Sequence, residues 1–246
     1  MTAVSDETTG AYSPEHAEIY DFVHAARGRD WAAEAEDYHR LIRRWRPDAA
    51  SLLDVACGTG AHLASFVEHF DRAEGLELSA GMREMAGQRL PGVPVHAGDL
   101  REFDLGRTYD AVVCLCFSVA FSHSVAELRS AVAAMARHLT PGGVLVIEPW
   151  WFPERFLDGF VSAALAEAEG RAVSRISHSV RVGDHSRMTV RYTVADRAGI
   201  RDFTSVETLS LFTEEQYTDA FAAAGCSVEY QPGGPNGRGL FVGVRR

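Results

Sequence analysis

The sequence predicts an α/β protein: a doubly wound sheet of seven strands, with a three-stranded antiparallel sheet inserted late in the chain. Three observations carry this. Residues 51–60 (Ser-Leu-Leu-Asp-Val-Ala-Cys-Gly-Thr-Gly) read as a buried strand running straight into a glycine-rich turn, with a helix-like run over 61–70 behind it. Strand and helix patterns then alternate through residue 148. Beyond Glu148 the pattern changes, and residues 174–212 adopt a period of two, as half-buried antiparallel strands do.

The elements follow in order. Residues 1–12 are polar and acidic, carry no secretory apolar segment, and are expected to lack regular structure. Ser13, Pro14 and Glu15 form a helix start, the serine as N-cap and the proline at the first helical position. That helix runs to about residue 27, and Asp30 caps a second over 31–45. This pair precedes the sheet and is placed to close over its ligand edge. After the first strand, Gly75-Leu76-Glu77-Leu78-Ser79 is a second strand ending in an acid. Residues 95–100 give a third strand followed by Asp99, residues 109–115 a fourth, and the Pro141-Gly142-Gly143 turn feeds a fifth ending at Glu148. Residues 174–182, 188–195 and 202–212 form the meander. Thr213 and Gln216 make a capping box for a helix that Gly225 stops, and strands near 227–231 and 239–245 complete the sheet. The expected organisation is therefore helices plus core over 1–150, a substrate-binding insertion over 151–212, and a closing helix and strands over 213–246.

Strand, glycine loop, helix, strand, acid is how such a sheet holds an adenosine-containing cofactor: the glycines let backbone N–H groups approach it and the acid accepts from ribose hydroxyls. Three ligands compete for the loop. A P-loop needs a lysine, and all 24 basic residues here are arginine, which also excludes Schiff-base chemistry. A dinucleotide loop wants a third glycine where this chain has Leu63, which weakens that reading and leaves it open. S-adenosylmethionine suits a loop with an acid ahead of the glycines, here Asp54, and no pyrophosphate to cradle.

Composition narrows the partners. Net charge is −10 and no basic run exceeds Arg43-Arg44-Trp45-Arg46, so a small molecule is expected and nucleic acid is not. No apolar run reaches the roughly 20 residues of a membrane span. Cys57, Cys114, Cys116 and Cys226 read as structural thiols of a reducing cytoplasm, with no metal site expected. Oligomeric state is open, a homodimer included.

Residues 54–60 resemble motif I of the class I S-adenosylmethionine methyltransferases, with the later strands in matching order, so the sheet is expected to be Rossmann-like. The chain further resembles one family almost throughout: the N,N-dimethyltransferases acting on TDP-linked amino-deoxysugars of macrolide and polyketide antibiotic pathways, of desosamine and mycaminose type. The carriers are Ala17-Glu18-Ile19-Tyr20-Asp21, the 53–60 and 75–79 segments, Glu148-Pro149-Trp150-Trp151-Phe152-Pro153, Ser174-Arg175-Ile176-Ser177-His178-Ser179, and the glycine-rich 233–243 segment.

The resemblance implies Asp54, Ala56, Gly58, Gly60, Glu77, Met82, Asp99, Leu100 and Leu115 at the cofactor. It implies Tyr20, Phe121, Trp150, Arg175, Ser177, His178 and Arg238 at the sugar nucleotide, with Arg238 on the pyrophosphate. Tyr20 and His123 are the catalytic candidates. Phe121 stands where the family often has a histidine near the amine, which brings 4-amino sugars alongside 3-amino ones. The aromatic wall of Trp150 and Phe121 is expected to exclude water and to meet the growing methylammonium through cation–π contact. A small-molecule O-methyltransferase and a non-catalytic S-adenosylmethionine-binding domain are the alternatives.

Overall fold

A computed structural model describes residues 12–168 and 170–246. The segment expected to lack structure therefore lies, Tyr12 apart, outside the described residues.

Two helices come first. Ser13 accepts from the His16 N–H to cap α1 (Pro14–Ala26), and Asp30 accepts from Ala33 to cap α2 (Trp31–Trp45). The sheet then winds through β1 (Ser51–Val55), α3 (Leu63–His69), β2 (Arg72–Glu77), α4 (Ala80–Arg89), β3 (Val95–Ala97), β4 (Tyr109–Cys114), α5 (Val125–Arg137) and β5 (Leu139–Ile147). A second sheet follows: β6 (Phe160–Ala168), β7 (Arg171–Val182), β8 (His185–Asp196) and β9 (Gly199–Ser210). Capped by the expected Thr213–Gln216 box, α6 (Glu214–Ala223) leads to β10 (Cys226–Gln231) and β11 (Leu240–Arg245).

Strand order is β10-β11-β5-β4-β1-β2-β3, with β1 to β5 mutually parallel and β11 antiparallel to both its neighbours, β5 and β10. The order reverses between β1 and β4, and a crevice opens outside the carboxyl ends of the strands at such a point. Apolar side chains cover both faces. Tyr38, Ile42, Leu52 and Phe66 pack on one side, with Leu53, Val112, Met135 and Phe241 on the other.

The inserted sheet has four strands, not three. Its extra member, β6, is an edge strand with eight of nine positions outside the buried class, six of them exposed; its alanine-rich sequence carries no period-two apolar signal. The sheet's inner face meets α1, where Ile19 and Val23 pack on Val173, Val190, Tyr192 and Val194. Among the described residues every ion pair is made by arginine or histidine, and no helix is long and apolar enough to cross a membrane.

Candidate functional site

At the β1/β4 crevice lies a cavity of about 300 Å³. Its floor is the turn after β1, where Ala56, Gly58 and Gly60 all have positive φ (59°, 57° and 74°). The turn is clamped from β2: Glu77 Oε2 accepts from the Gly58 N–H at 3.0 Å and Oε1 from the Ser79 N–H at 2.7 Å. Ser79 in turn caps α4 and donates from its hydroxyl to the Tyr12 carbonyl at 2.9 Å, fastening the segment before α1 over the cavity. A second tie runs through Thr59, whose hydroxyl donates to Asp21 at 2.7 Å while Arg89 bonds both.

Of the residues expected at the cofactor, Asp54, Ala56, Gly58, Glu77, Met82, Asp99, Leu100 and Leu115 line this cavity. Gly60 does not. A Cβ there would meet Ala86 Cβ at 3.2 Å, so this glycine lets α4 approach the turn instead. Tyr20, Phe121 and His123 also line it, His123 from an exposed position.

The electrostatics suit a cation carrying hydroxyls. Burial, with the Glu77 charge added, raises the Asp54 carboxyl to about 8, and its Oδ2 has no hydrogen-bond partner. Burial also raises Glu77 despite its two backbone donors. Two acids drawn together out of water, one with an orphaned oxygen, fit a ligand that brings an ammonium and ribose hydroxyls. S-adenosylmethionine carries both. Asp99 is already held by Arg101, which donates to both carboxylate oxygens, and this lowers its pKa.

Tyr12 and Tyr20 cover the cavity from the α1 side. Burial raises both phenols well above their ordinary value, so both stay protonated and act as donors rather than bases. Across the cavity, β4 ends in two consecutive left-handed residues, Cys116 (φ 51°) and Phe117 (φ 56°), held by Cys116 N–H donation to Glu148 Oε2 at 2.7 Å. Strain of about 1–3 kcal/mol per such residue marks this corner as shaped for use.

The remaining expected residues lie apart from this cavity, in two groups. Arg238 is nearly buried. Its guanidinium stands 4.7 Å from the Phe117 ring, 4.9 Å from Trp150 and 5.5 Å from Trp151, with Glu148 Oε1 at 3.7 Å. Trp150 thus seats Arg238, held by its indole N–H on Ser186 at 2.9 Å, and is absent from the cavity lining; the expected aromatic wall reduces there to Phe121. Arg29 joins this group: it donates to Asn236 at 2.9 Å, lies 4.4 Å over Trp31, and reaches Cys116 Sγ at 3.2 Å. The Nε atoms of both arginines are buried without partners, so two guanidiniums have donors to spare.

Arg175 and Ser177 form the second group, on the inner face of β7, with Arg175 donating to the Ser177 hydroxyl at 2.9 Å. His178 was expected beside them and is not. Alternation along the strand turns it to the exposed outer face.

Sequence reasoning missed Tyr12, Arg29 and the His62–Glu34 pair (3.0 Å), which anchors α2 at the cavity rim. The expected absence of a metal site has one feature to set beside it. Glu36, His39 and His69 bring ligand atoms within 4.8 Å of one another on α2 and α3, where Arg43 already donates to His39 Nε2.

Sheet order, clamped turn and orphaned acid together define an S-adenosylmethionine-dependent methyltransferase. Residues 52–143 match a methyltransferase-domain family model. Two curated relatives are closely similar. One, from Saccharopolyspora spinosa, is a dTDP-4-amino-2,3,4,6-tetradeoxy-D-glucose N,N-dimethyltransferase, 59% identical over all of both chains. The other, from Streptomyces venezuelae, is a dTDP-3-amino-3,4,6-trideoxy-alpha-D-glucopyranose N,N-dimethyltransferase, 53% identical over 95% of this chain and 99% of its own. Among solved structures, Streptomyces venezuelae DesVI superposes with a TM-score of 0.92 at 52% identity, covering 96% of this chain and 100% of its own. S-adenosylmethionine-bound CalS10, an amino pentose methyltransferase from Micromonospora echinaspora, superposes at 0.86 with 56% identity, over 93% and 97%. The chain belongs to the family of TDP-amino-deoxysugar N,N-dimethyltransferases, and S-adenosylmethionine is its cofactor. That membership favours N-methylation over the O-methyltransferase and non-catalytic alternatives.

Proposed function

We propose that the chain N,N-dimethylates a TDP-linked 4-amino-deoxysugar in a cytoplasmic antibiotic pathway. The observation that carries the reading is the division of the site: a clamped turn and two acids in the cavity that Tyr12 and Tyr20 line, and two arginines with unused donors outside that lining. The 4-amino assignment is supported by the higher identity to the 4-amino relative (59% against 53%) and by Phe121 at the family's histidine position.

When bound, S-adenosylmethionine supplies an electrophilic methyl carbon. Asp54, Glu77 and the Ala56–Gly58 backbone would hold it, with Met82 and Leu100 supplying apolar lining for its base. Arg238 and Arg29 take the diphosphate, the aromatic support of Arg238 fixing the guanidinium without a second carboxylate close by. Tyr20 and Tyr12, as neutral phenols, orient the sugar. Phe121 keeps water from the amine. Little covalent help is required, because positioning alone supplies roughly 7–11 kcal/mol of the barrier.

Mass spectrometry after incubating TDP-4-amino and TDP-3-amino sugars with enzyme and cofactor tests this. Two methyl groups on the 4-amino sugar, at the higher kcat/KM, is the expected result. Preference for the 3-amino sugar overturns the assignment of the ring position, and transfer to neither overturns the reading altogether.

A further inference from the structure

The inner face of the inserted sheet holds one acid that the site as described does not use. Glu207 lies in β9, 7% exposed, paired in register with Met188 of β8, which is opposite Ser179 of β7. Its row neighbours along the same face are Ser205 and Leu209. Leu209 packs with Ala120 and Trp150, with Phe121 against that cluster, so Glu207 stands close to the wall of the cofactor cavity.

Among the described residues its carboxylate makes no hydrogen bond and no ion pair. The groups facing it act only at a distance: Arg175 from β7, Tyr192 from β8, Tyr20 from α1, Arg27 just after it, and Tyr12 ahead of it. His16 of α1 is engaged with the Tyr192 hydroxyl at 3.1 Å and is kept neutral, burial lowering it to about 4. The 3-10 turn Ser118–Phe121, packed against β9, brings no ionisable side chain.

A buried carboxylate with no partner costs several kcal/mol, and strands tolerate one at an inward position when a ligand completes it. The chain already does this once, at Asp54. Glu207 and Asp54 share the same two tyrosines as neighbours, since Tyr12 and Tyr20 line the cofactor cavity beside Asp54 and both feel the Glu207 charge. The ligand expected beyond those tyrosines carries one cationic centre, its ammonium nitrogen. Ser205 on the same strand, and Ser177 and Ser179 two strands away, present hydroxyls on the same face, as a sugar ring would require.

We infer that Glu207 receives the amino group of the substrate and takes up the proton that the nitrogen must lose before each methylation. This rests on the proposed aminosugar reading. In the step, an N–H bond of the sugar ammonium breaks, its electron pair stays on nitrogen, and the proton forms an O–H bond with the Glu207 carboxylate. Solvent removes that proton before the next round. Burial raises Glu207 to about 7, close to the roughly 7.7–8.0 of an ordinary α-amino group, so the transfer is nearly balanced in energy.

The test compares binding of a TDP-4-amino-deoxysugar with that of its 4-hydroxy counterpart, by calorimetry on protein saturated with S-adenosylhomocysteine, across about pH 6 to 8. The unaltered chain should prefer the amine at least about tenfold near pH 7.5 and lose that preference toward pH 6, as Glu207 takes up a proton. Glu207→Gln should bind both sugars alike, and should lose the rise of kcat with pH. Glu207→Asp should retain the rise with weaker amine binding, which covers the case of a Gln variant that does not fold. A preference in the unaltered chain that is absent or flat with pH overturns the inference, as does a folded Gln variant that keeps both preference and rise. If the unaltered chain methylates neither TDP-amino sugar, the aminosugar reading has failed; if it methylates one and Glu207→Gln is unaffected, only this inference has.

Discussion

The two sheets build their binding surfaces from different materials. The parallel sheet uses backbone: alternate residues of one turn with positive φ, and an acid from the next strand accepting from its N–H group. The inserted sheet uses side chains, every second residue of β7 and β9 contributing Arg175, Ser177, Ser179, Ser205 or Glu207 to one face. A backbone site is written in one contiguous stretch and suits a ligand common to many enzymes. A side-chain face is dispersed over strands and can be changed one residue at a time, which suits the part of the reaction that distinguishes one substrate from another.

Perturbing each region separately should keep their effects apart. The largest loss is expected from Glu77→Ala, which removes the partner of two backbone N–H groups; each charge-assisted bond is worth about 1.5–3 kcal/mol, so S-adenosylhomocysteine should bind at least ~100-fold more weakly by calorimetry. A loss under about tenfold would mean that the turn holds its shape unaided.

Next is Arg238→Ala, expected to raise the nucleotide-sugar KM by about 10–100-fold while leaving cofactor affinity unchanged. Trp150→Ala should shift the same KM in the same direction, because the indole supports that guanidinium, and should also cost about 3 kcal/mol in denaturant unfolding. If either variant weakens cofactor instead, the separation of the two regions fails.

A smaller effect is expected from pH. Asp54 and Glu207 have folded-state values raised to about 8 and about 7, so each favours folding most at low pH, below its ordinary value near 4, and loses that contribution as pH rises through the raised value. His16 and His24, buried and lowered to about 4 and about 3, act oppositely but only below about 6.5. Between about pH 6.5 and 8 the acids act alone, so the Tm of the cofactor-free chain should fall with rising pH, and Asp54→Asn should flatten the fall. A rising Tm in that interval would contradict the burial of these carboxylates.

Least affected should be the outer face. Ile176→Thr alters a residue 56% exposed on β7 and should change unfolding free energy by less than about 0.5 kcal/mol, although it adjoins Arg175 and Ser177.

The same contrast governs what could be read from sequence. The turn, Asp54 and Glu77 are legible because their geometry is local and the residue types unusual. The helix starts at Ser13, Asp30 and Thr213 are legible because capping is also local. β6 is not, because an edge strand needs little apolar patterning and its alanines carry no strand propensity. Arg29, Tyr12 and His62 gain their meaning only when α1, α2 and the turn converge. His178 and Ser177 differ by one residue and a face, a distinction alternation alone would have drawn. Glu207 did leave a signal: a charge at an inward position of a period-two strand.

One further consequence follows from cations that are guanidinium or imidazole throughout. Primary amines are then absent from every side chain, and in a reaction mixture they belong to the chain's own α-amino group, to the sugar, and to the cofactor and its product. A fluorogenic amine reagent added to sampled portions would respond to sugar above a nearly dark protein and a constant background from cofactor and product, and the sugar's share would vanish as its nitrogen becomes tertiary.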